Sequence, residues 1–372
     1  MKRLLAAVWR YIRTMDTLLL FLCVGASAFS VLLLTTICGY FGYSSRMIAV
    51  QVIATGVGLV GVFIFSSLDY RTVAPLWRIY APPALLLTLS TFVFGVGREG
   101  ADDKAWLNFF GITTLQPSEL LKIAFILTFA YHLYKVKHDI NHPLHLLALC
   151  GHAAIPVLTV HLQGDDGTAL VFFVIFLSMI FVAGVNWKYI AAAFGAAIPA
   201  AIFIWFFVMS EGKRQRFLIT LYPEMDPEGI GFQQLQGRIA LGSGQLFGNG
   251  LDGPFRYVPE IQNDFIYVFV GEALGFIGCV LLMVWLAVIC MRILTTYRMS
   301  EALIGKFICI GVFSMLAFQI IANIGMCLSV LPVIGLTLPF ISSGGSSILS
   351  VYFAIGLVLS VYRHNKKKLL FS

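Results

Sequence analysis

In this chain of 372 residues ionisable side chains are uncommon, since Asp, Glu, Lys and Arg make up 12% of it. Those that fall in or beside apolar runs are candidates for function, because a charge held at bilayer depth is costly. Glu119 and Lys122 form the first such pair, in Gln116-Pro117-Ser118-Glu119-Leu120-Leu121-Lys122. Pro117 suits the first turn of a helix, which puts Glu119 near the positive end of the helix dipole and Lys122 on the same face one turn deeper. Two compatible readings follow: an ion pair that fixes packing, and a lysine that meets an anionic group of a substrate. Asp264 closes Pro259-Glu260-Ile261-Gln262-Asn263-Asp264 and directly precedes Phe265-Ile266-Tyr267-Val268-Phe269-Val270. By position it is an N-cap where water meets the next span, a role worth about 1 kcal/mol. Asp165 and Asp166, after Gln163-Gly164, are placed to cap in the same way. Trp106 is either an interfacial anchor or a flat surface on which a sugar ring could stack.

The scaffold that must position these groups is set by composition. With 59% hydrophobic residues the chain reads as a bundle of membrane helices, because hydrocarbon forces each backbone segment to satisfy its own hydrogen bonds. Runs of about 20 apolar residues predict an all-α, polytopic integral membrane protein. About ten transmembrane helices are expected, near 17–39, 47–66, 75–96, 117–134, 143–161, 168–185, 189–209, 265–291, 303–329 and 338–362. No repeat or linker divides the chain, so residues 1–372 are expected to form a single integral-membrane domain. The basic run Lys2, Arg3, Arg10 and Arg13 followed by an apolar stretch resembles a signal sequence. The stretch is long and lacks a convincing cleavage site, so it reads as a retained anchor.

Orientation follows from lysine and arginine, which stay on the cytoplasmic side during insertion. With the N-terminus inside, sixteen of the 25 bases fall in cytoplasmic segments, and only Arg46, Arg98 and Lys104 in short outer loops. Five more, Lys213, Arg214, Arg216, Arg238 and Arg256, lie in a long outer loop at about 210–264. Both termini are expected in the cytoplasm. Of the 18 acids, only Asp16, Asp69, Asp139 and Glu301 fall inside, which points to chemistry on the outer side. The net charge of +7 is accounted for by this bias and by anionic lipid, and does not call for nucleic acid. The loop at 210–264 is too long for a mere connector, and its glycines (237, 242, 244, 248, 250 and 253) suit irregular or half-inserted structure lining a cavity. The seven cysteines sit in or beside apolar runs and read as packing residues. His138, His142 and His145 have spacings that could bind a metal, but in a short polar loop they read as solvated.

Taken in order, these segments resemble the shape, elongation, division and sporulation (SEDS) family of RodA, FtsW and SpoVE over nearly the whole chain. Gln116 to Lys122 matches the family's fourth-span motif, and Asp264-Phe265-Ile266 with Gly271-Glu272 matches the segment around its proposed catalytic aspartate. Asn323-Ile324-Gly325-Met326, Leu331-Pro332-Val333-Ile334-Gly335 and Leu338-Pro339-Phe340-Ile341-Ser342-Ser343-Gly344-Gly345-Ser346-Ser347 match its C-terminal signature. The stretch Gly271-Glu272-Ala273-Leu274-Gly275-Phe276 is nearer to RodA than to FtsW. Three departures stand out. Gln163-Gly164-Asp165-Asp166-Gly167-Thr168 replaces a common Gln-Pro-Asp-Leu-Gly-Thr, Ala105 stands where a basic residue often precedes the tryptophan, and Ser343 replaces a frequent tyrosine.

The resemblance implies a peptidoglycan glycosyltransferase at the outer face of the bacterial cytoplasmic membrane. Such an enzyme polymerises lipid II, an undecaprenyl-diphosphate-linked disaccharide peptide, beside a class B penicillin-binding protein. It carries the role of catalytic base to Asp264, and substrate-cavity or functional polar roles to Trp106, Arg46, Glu119, Lys122, Asp165, Arg238 and Ser343. A carboxylate can take the acceptor's proton, and a diphosphate leaves as a stable anion, so positive charge is needed more than a second acid. That charge is expected from the cations above or from a divalent ion, Mg or Mn. Two rival readings stand beside it: a lipid II flippase that uses the same cavity and cations, and a non-catalytic scaffold that positions a wall synthase.

Overall fold

The computed structural model describes residues 14–97, 104–109, 113–227, 229 and 231–371. Lys2, Arg3, Arg10, Arg13 and Arg98 lie outside them, as do the side chains of Lys213 and Arg216. The helices are α1 (Thr17–Phe41), α2 (Arg46–Ser67), α3 (Trp77–Leu89), α4 (Pro117–Val136), α5 (Pro143–Leu162) and α6 (Asp166–Ala183). They continue as α7 (Trp187–Phe203), α8 (Glu211–Leu221), α9 (Phe232–Ser243), α10 (Ile266–Met299), α11 (Leu303–Cys327) and α12 (Gly345–Phe371). Short helical turns at Tyr70–Val73 and Thr91–Phe94 extend α3, so that Tyr70–Phe94 acts as one span. Among the described residues eight helical stretches are long and apolar enough to cross a membrane. Two of the ten expected spans, α4 and α7, form helices of 20 and 17 residues that fall short of that measure.

The reason for α4 is its position. It packs against α3, α5, α6, α11 and α12, and nearly all its side chains from Pro117 to Ala130 are buried. A helix enclosed by others can carry polar groups that a lipid-facing helix cannot. The close pairing of α2 with α12 has a different basis. Gly58 and Gly61 lie against Tyr352 and Phe353, and Gly356 lies against Val62 and Phe65, so small residues admit large ones across the seam. At the start of α1, Asp16 accepts from the Leu19 amide at 3.1 Å, and its other oxygen meets Arg292 at 2.7 Å near the end of α10. One carboxylate thus caps a helix and staples it to another. The cysteines are buried as packing residues except Cys150 of α5, which is exposed.

Four features differ from the expected scheme. A two-stranded antiparallel hairpin, β1 (Leu107–Phe109) with β2 (Thr113–Leu115), folds the connection before α4 and departs from a purely helical chain. The loop at 210–264 contains two helices, α8 and α9, because its apolar and charged residues alternate well enough to coil. The last span begins at Gly345 rather than near 338, since 331–344 is irregular. Finally α10, expected as one continuous span over 265–291, runs to Met299 and is broken at Gly275, which has φ 67° and ψ −168°.

A break in a membrane helix exposes carbonyls and amides that hydrocarbon cannot satisfy. Here the segment after α9 supplies them. The amides of Asn249 and Gly250 donate to the carbonyls of Glu272 and Ala273 at 2.9 and 3.0 Å. The amides of Phe276 and Ile277 donate to the carbonyls of Gln245 and Leu246 at 2.8 and 3.2 Å. Two backbones approach this closely only because Gly244, Gly248 and Gly275 have no Cβ, and a Cβ on any of them would strike the opposite main chain. The glycine-rich composition of the loop therefore serves a clasp on a broken helix. Glu272 reinforces it, accepting from the Arg256 amide at 2.9 Å.

Gly275→Ala should lower the stability of the purified protein by about 1–3 kcal/mol, the cost of a strained left-handed residue, with a further loss from displaced backbone. Gly56→Ala, whose new Cβ would meet nothing within 4 Å, should leave it unchanged or slightly higher. Thermal unfolding in detergent compares the two.

Candidate functional site

The end of the bundle where α3, α5 and α11 finish and α4, α6, α10 and α12 begin gathers most of the polar side chains singled out in the sequence. Pro117 occupies the first turn of α4, as its fixed φ favours. Two residues on, Glu119 is 4% exposed, and Lys122 is fully buried with its Nζ 2.8 Å from Glu119 Oε1. The second carboxylate oxygen accepts from Ser350 Oγ of α12 at 2.6 Å. Both oxygens are therefore engaged, and the cation is neutralised where it would otherwise be prohibitive.

Asp165 caps α6 by accepting from the Thr168 amide at 2.9 Å, and its other oxygen accepts from Gln116 Nε2 at 2.6 Å. Burial pushes its carboxyl above the usual carboxylate range, against the opposing pull of the Thr168 bonds and the Lys122 charge. Asp166 instead faces outward, with His161 Nδ1 at 2.6 Å from its carboxylate. Of the two neighbouring acids, Asp165 is the one that joins Glu119 and Lys122.

Asp264 is 3% exposed just before α10. The cap position falls on Phe265, so the capping reading of Asp264 does not hold. Its backbone carbonyl accepts from Asn323 Nδ2 of α11 at 2.8 Å, and the same amide nitrogen also donates to the Leu336 carbonyl at 2.8 Å. Ser342 Oγ donates to the Asn263 carbonyl at 2.6 Å, and the Ser343 amide donates to the Gln262 carbonyl at 2.9 Å. The irregular stretch before α12 thus holds the approach to Asp264 by one side-chain and one main-chain bond to its carbonyls, and Ser343 belongs to it through its backbone. Just beyond it, in the first turn of α12, Ser346 Oγ accepts from the Gln116 amide at 3.0 Å, which links that helix start to the Glu119 and Asp165 cluster.

The remaining candidates sit elsewhere. Arg46 opens α2 and is exposed, its amide donating to Ser44 Oγ at 3.3 Å. Trp106 is half-buried and pairs by backbone with Val96, ahead of the hairpin. Arg238 is exposed on α9 and donates to the Thr220 carbonyl at 3.3 Å. His138 and His142 are exposed around the loop before α5, and His145 in the first turn of that helix is half-buried, its Nδ1 2.9 Å from the Asp139 carbonyl. Among the described residues no group of three or more His, Cys, Asp or Glu forms a ready metal site.

Two residues matter here more than their sequence context suggests. Gln51 of α2 is fully buried and spans three segments: its Nε2 donates to Ser30 Oγ at 3.0 Å and to the Ser342 carbonyl at 3.2 Å, while Oε1 accepts from the Gly344 amide at 3.2 Å. Asn323 stands out in the sequence only as part of a motif, and its double donation is what orders the segment beside Asp264. The signal in each case is an amide in an otherwise apolar run, since such groups persist in hydrocarbon when they bond.

Comparison with known proteins gives these contacts a context. The family described as cell cycle protein, covering FtsW, RodA and SpoVE, matches residues 13–367. A probable peptidoglycan glycosyltransferase FtsW of Geobacter metallireducens is 35% identical over 318 residues, 82% of this chain and 81% of the relative. Stage V sporulation protein E of Bacillus subtilis is 32% identical across 85% of this chain and 87% of its own length. The peptidoglycan glycosyltransferase MrdB of Escherichia coli is 32% identical, covering 76% of each chain. In three dimensions a chain of a peptidoglycan synthase complex that coordinates polymerization and crosslinking superposes with TM-score 0.79 at 28% identity, over 94% of this chain and 98% of that one. The rod shape determining protein RodA of Thermus thermophilus gives 0.70 at 25% identity, over 94% and 97%.

Removing one member of the buried pair should cost far more than removing both. Lys122→Met or Glu119→Gln alone is expected to lose about 3–5 kcal/mol, and Glu119→Leu with Lys122→Met to regain most of it. Thermal unfolding of the three purified variants reads the coupling, and equal losses throughout would show that the pair contributes only as packing.

Proposed function

The chain belongs to the family of FtsW, RodA and SpoVE, and on that premise we propose that it is a peptidoglycan glycosyltransferase that polymerises lipid II into glycan strands, with Asp264 as its base. The observation that carries this reading is a buried carboxylate just before α10, on a backbone held by hydrogen bonds from Asn323, Ser342 and Ser343, at the same end of the bundle as the buried Glu119–Lys122 pair. Glycosyl transfer forms a bond from the acceptor hydroxyl oxygen to the anomeric carbon of the donor and breaks the bond from that carbon to the diphosphate. The hydroxyl proton must leave as the new bond forms, and a positioned carboxylate accepts it. The diphosphate departs without protonation, so one acid–base residue suffices where glycosidases use two.

Positive charge on the departing phosphates comes, in this reading, from Arg46, Arg238 and Arg256, which stand apart from the buried cluster and would meet the phosphates outside it. Lys122 contributes its charge from within the bundle while it holds Glu119, and Asp165 with Gln116 fixes the geometry of that wall. Trp106 and Ser343 line the space for the sugars. The chemistry a divalent ion would add is further neutralisation of the diphosphate, and no step here depends on one.

The same reading places the protein in the bacterial cytoplasmic membrane, multi-pass, with both termini in the cytoplasm and Asp264 on the outer side. A class B penicillin-binding protein is its proposed partner, by analogy with the synthase complex whose chain it resembles. Cell elongation and shape is the proposed setting, resting on the RodA-like sequence around Gly275. Identity alone does not separate the branches, since relatives named for division, sporulation and MrdB lie at 32–35%.

Asp264→Asn should fold and insert but lose roughly 100-fold to 10,000-fold in polymerisation, because the amide cannot take the proton. Labelled lipid II is incubated with the purified chain, with and without a candidate penicillin-binding protein, and the glycan ladder is measured by gel. A ladder at near wild-type rate from the variant would remove Asp264 from the mechanism. Lipid II translocation in proteoliposomes without polymer, insensitive to Asp264, would favour transport instead.

A further inference from the structure

A cavity of about 570 Å³ lies between α3, α4 and α5, apart from the polar cluster just described. Its volume falls within the roughly 300–1,000 Å³ of sites that take small organic ligands. On α4 the wall is a single stripe, Leu121, Ala124, Phe125, Thr128, His132 and Lys135, repeating every three or four residues. At 100° per residue this stripe is turned away from Glu119 and lies well round the helix from Lys122. The cavity is therefore separate from the proposed glycosyl-transfer site, and its occupant is a separate question. Trp77 and Pro82 of α3 and Ala148 and Pro156 of α5 complete the apolar wall.

One end of this cavity is not apolar. His132 Nδ1 and His152 Nδ1 are 3.1 Å apart, and His152 Nε2 is 3.1 Å from Thr128 Oγ1, which donates to the Phe125 carbonyl at 3.1 Å. The chain of bonds runs in one of two directions. With the Thr128 proton on the carbonyl, His152 donates from Nε2 and its Nδ1 accepts from His132 Nδ1; with the proton turned to His152, both directions reverse. In the first arrangement a neutral His132 is left with Nε2 as an acceptor, able to bind a hydroxyl donor. One turn further towards the end of α4 stands the exposed ammonium of Lys135, 5.3 Å from the Tyr131 ring, and Arg78 lies over Trp77 at 5.3 Å on α3. Lys135 thus lines the cavity itself and Arg78 stands behind the lining Trp77, two cations with aromatic partners, as are found where a membrane protein meets phosphate headgroups.

We propose that this cavity is a binding site for an acidic phospholipid, with one acyl chain between α3, α4 and α5, the phosphate on Lys135 and Arg78, and a headgroup hydroxyl donating to His132 Nε2. A phosphodiester with a hydroxylated headgroup, such as phosphatidylglycerol, meets all three requirements. A choline headgroup has the phosphate but no hydroxyl donor, and its fixed positive charge opposes Lys135. The inference does not depend on Asp264 or on glycosyl transfer.

The test uses the full chain in liposomes of phosphatidylcholine that contain a trace of phosphatidylglycerol, or of phosphatidylcholine, bearing a diazirine in one acyl chain. After photolysis the adducts are mapped by peptide mass spectrometry. Wild-type protein should carry at least fivefold more adduct on the α4 stripe with the glycerol probe than with the choline probe. Lys135→Gln, a change at an exposed residue, should bring the two probes to equality, and Ala124→Phe should remove adducts from the stripe while labelling of α2 persists. Equal labelling by both probes in the wild type would mean ordinary bilayer contact and would overturn the proposal. Stripe adducts unaltered by Ala124→Phe would place the lipid outside the cavity and overturn it as well. Displacement of the glycerol probe by equimolar undecaprenyl phosphate, but not by unlabelled phosphatidylglycerol, would assign the cavity to polyprenyl phosphates and refute a phospholipid site. Each variant is first shown to unfold within a few degrees of wild type, and Ala148→Phe, on the opposite wall, substitutes for Ala124→Phe if that variant melts early.

Discussion

A backbone amide or carbonyl inside a membrane has no water to turn to, and the architecture around Asp264 follows from that constraint. Two stretches here abandon helical bonding: α10 at Gly275, and 331–344 ahead of α12. The second lies against the backbone of Asp264, the first about three turns along the helix that follows it, and each finds a specific partner. The break in α10 is answered by the main chain at 245–250, and the irregular stretch by side chains from Gln51 and Asn323 together with Ser342 of its own. A continuous helix would have made all of these bonds unnecessary. Irregular backbone brings carbonyl and amide groups, and the residues between them, to places that regular helices cannot reach.

The polar cluster on α4 obeys the same rule in side-chain form. Lys122 is tolerated because Glu119 neutralises it, and Glu119 because Ser350 completes its bonds. Asp165 reaches the cluster through Gln116, and Gln116 reaches Ser346. Buried polar groups that satisfy one another in a chain fix relative positions more sharply than apolar contact does, since each bond has a direction. Three helices and one loop are thereby held in register at the end of the bundle that carries Asp264.

Much of this is legible in the sequence, and the parts that are not share a cause. Hydropathy locates the spans, and the cost of intramembrane charge singles out Glu119 and Lys122 by residue type alone. Spacing along α4 puts them on one face, and their contact at 2.8 Å agrees. Position suggests a cap for both Asp264 and Asp165, and only Asp165 is one. The difference lies in the helix start, which falls one residue later at Phe265, a shift that propensity does not resolve. The break at Gly275 is invisible because a glycine in an apolar run reads the same whether it bends or packs. Gly244 and Gly248 stand remote from it along the chain, and only the folded protein shows why all three lack side chains. The short hairpin before α4 escapes for the usual reason that three-residue strands carry almost no periodicity.

The burial of α4 also bears on how the protein is made. This helix is not among the eight stretches apolar enough to cross on their own, and three of those stretches precede it out of the ribosome. Its carboxylate finds Ser350 only in α12, 231 residues later. Until α12 emerges from the translocon, Glu119 and Lys122 have each other but not the full enclosure that makes them tolerable in lipid. Completion of this cluster therefore waits on α12, and a chain truncated before it would offer quality-control proteases a charged, half-sheltered centre.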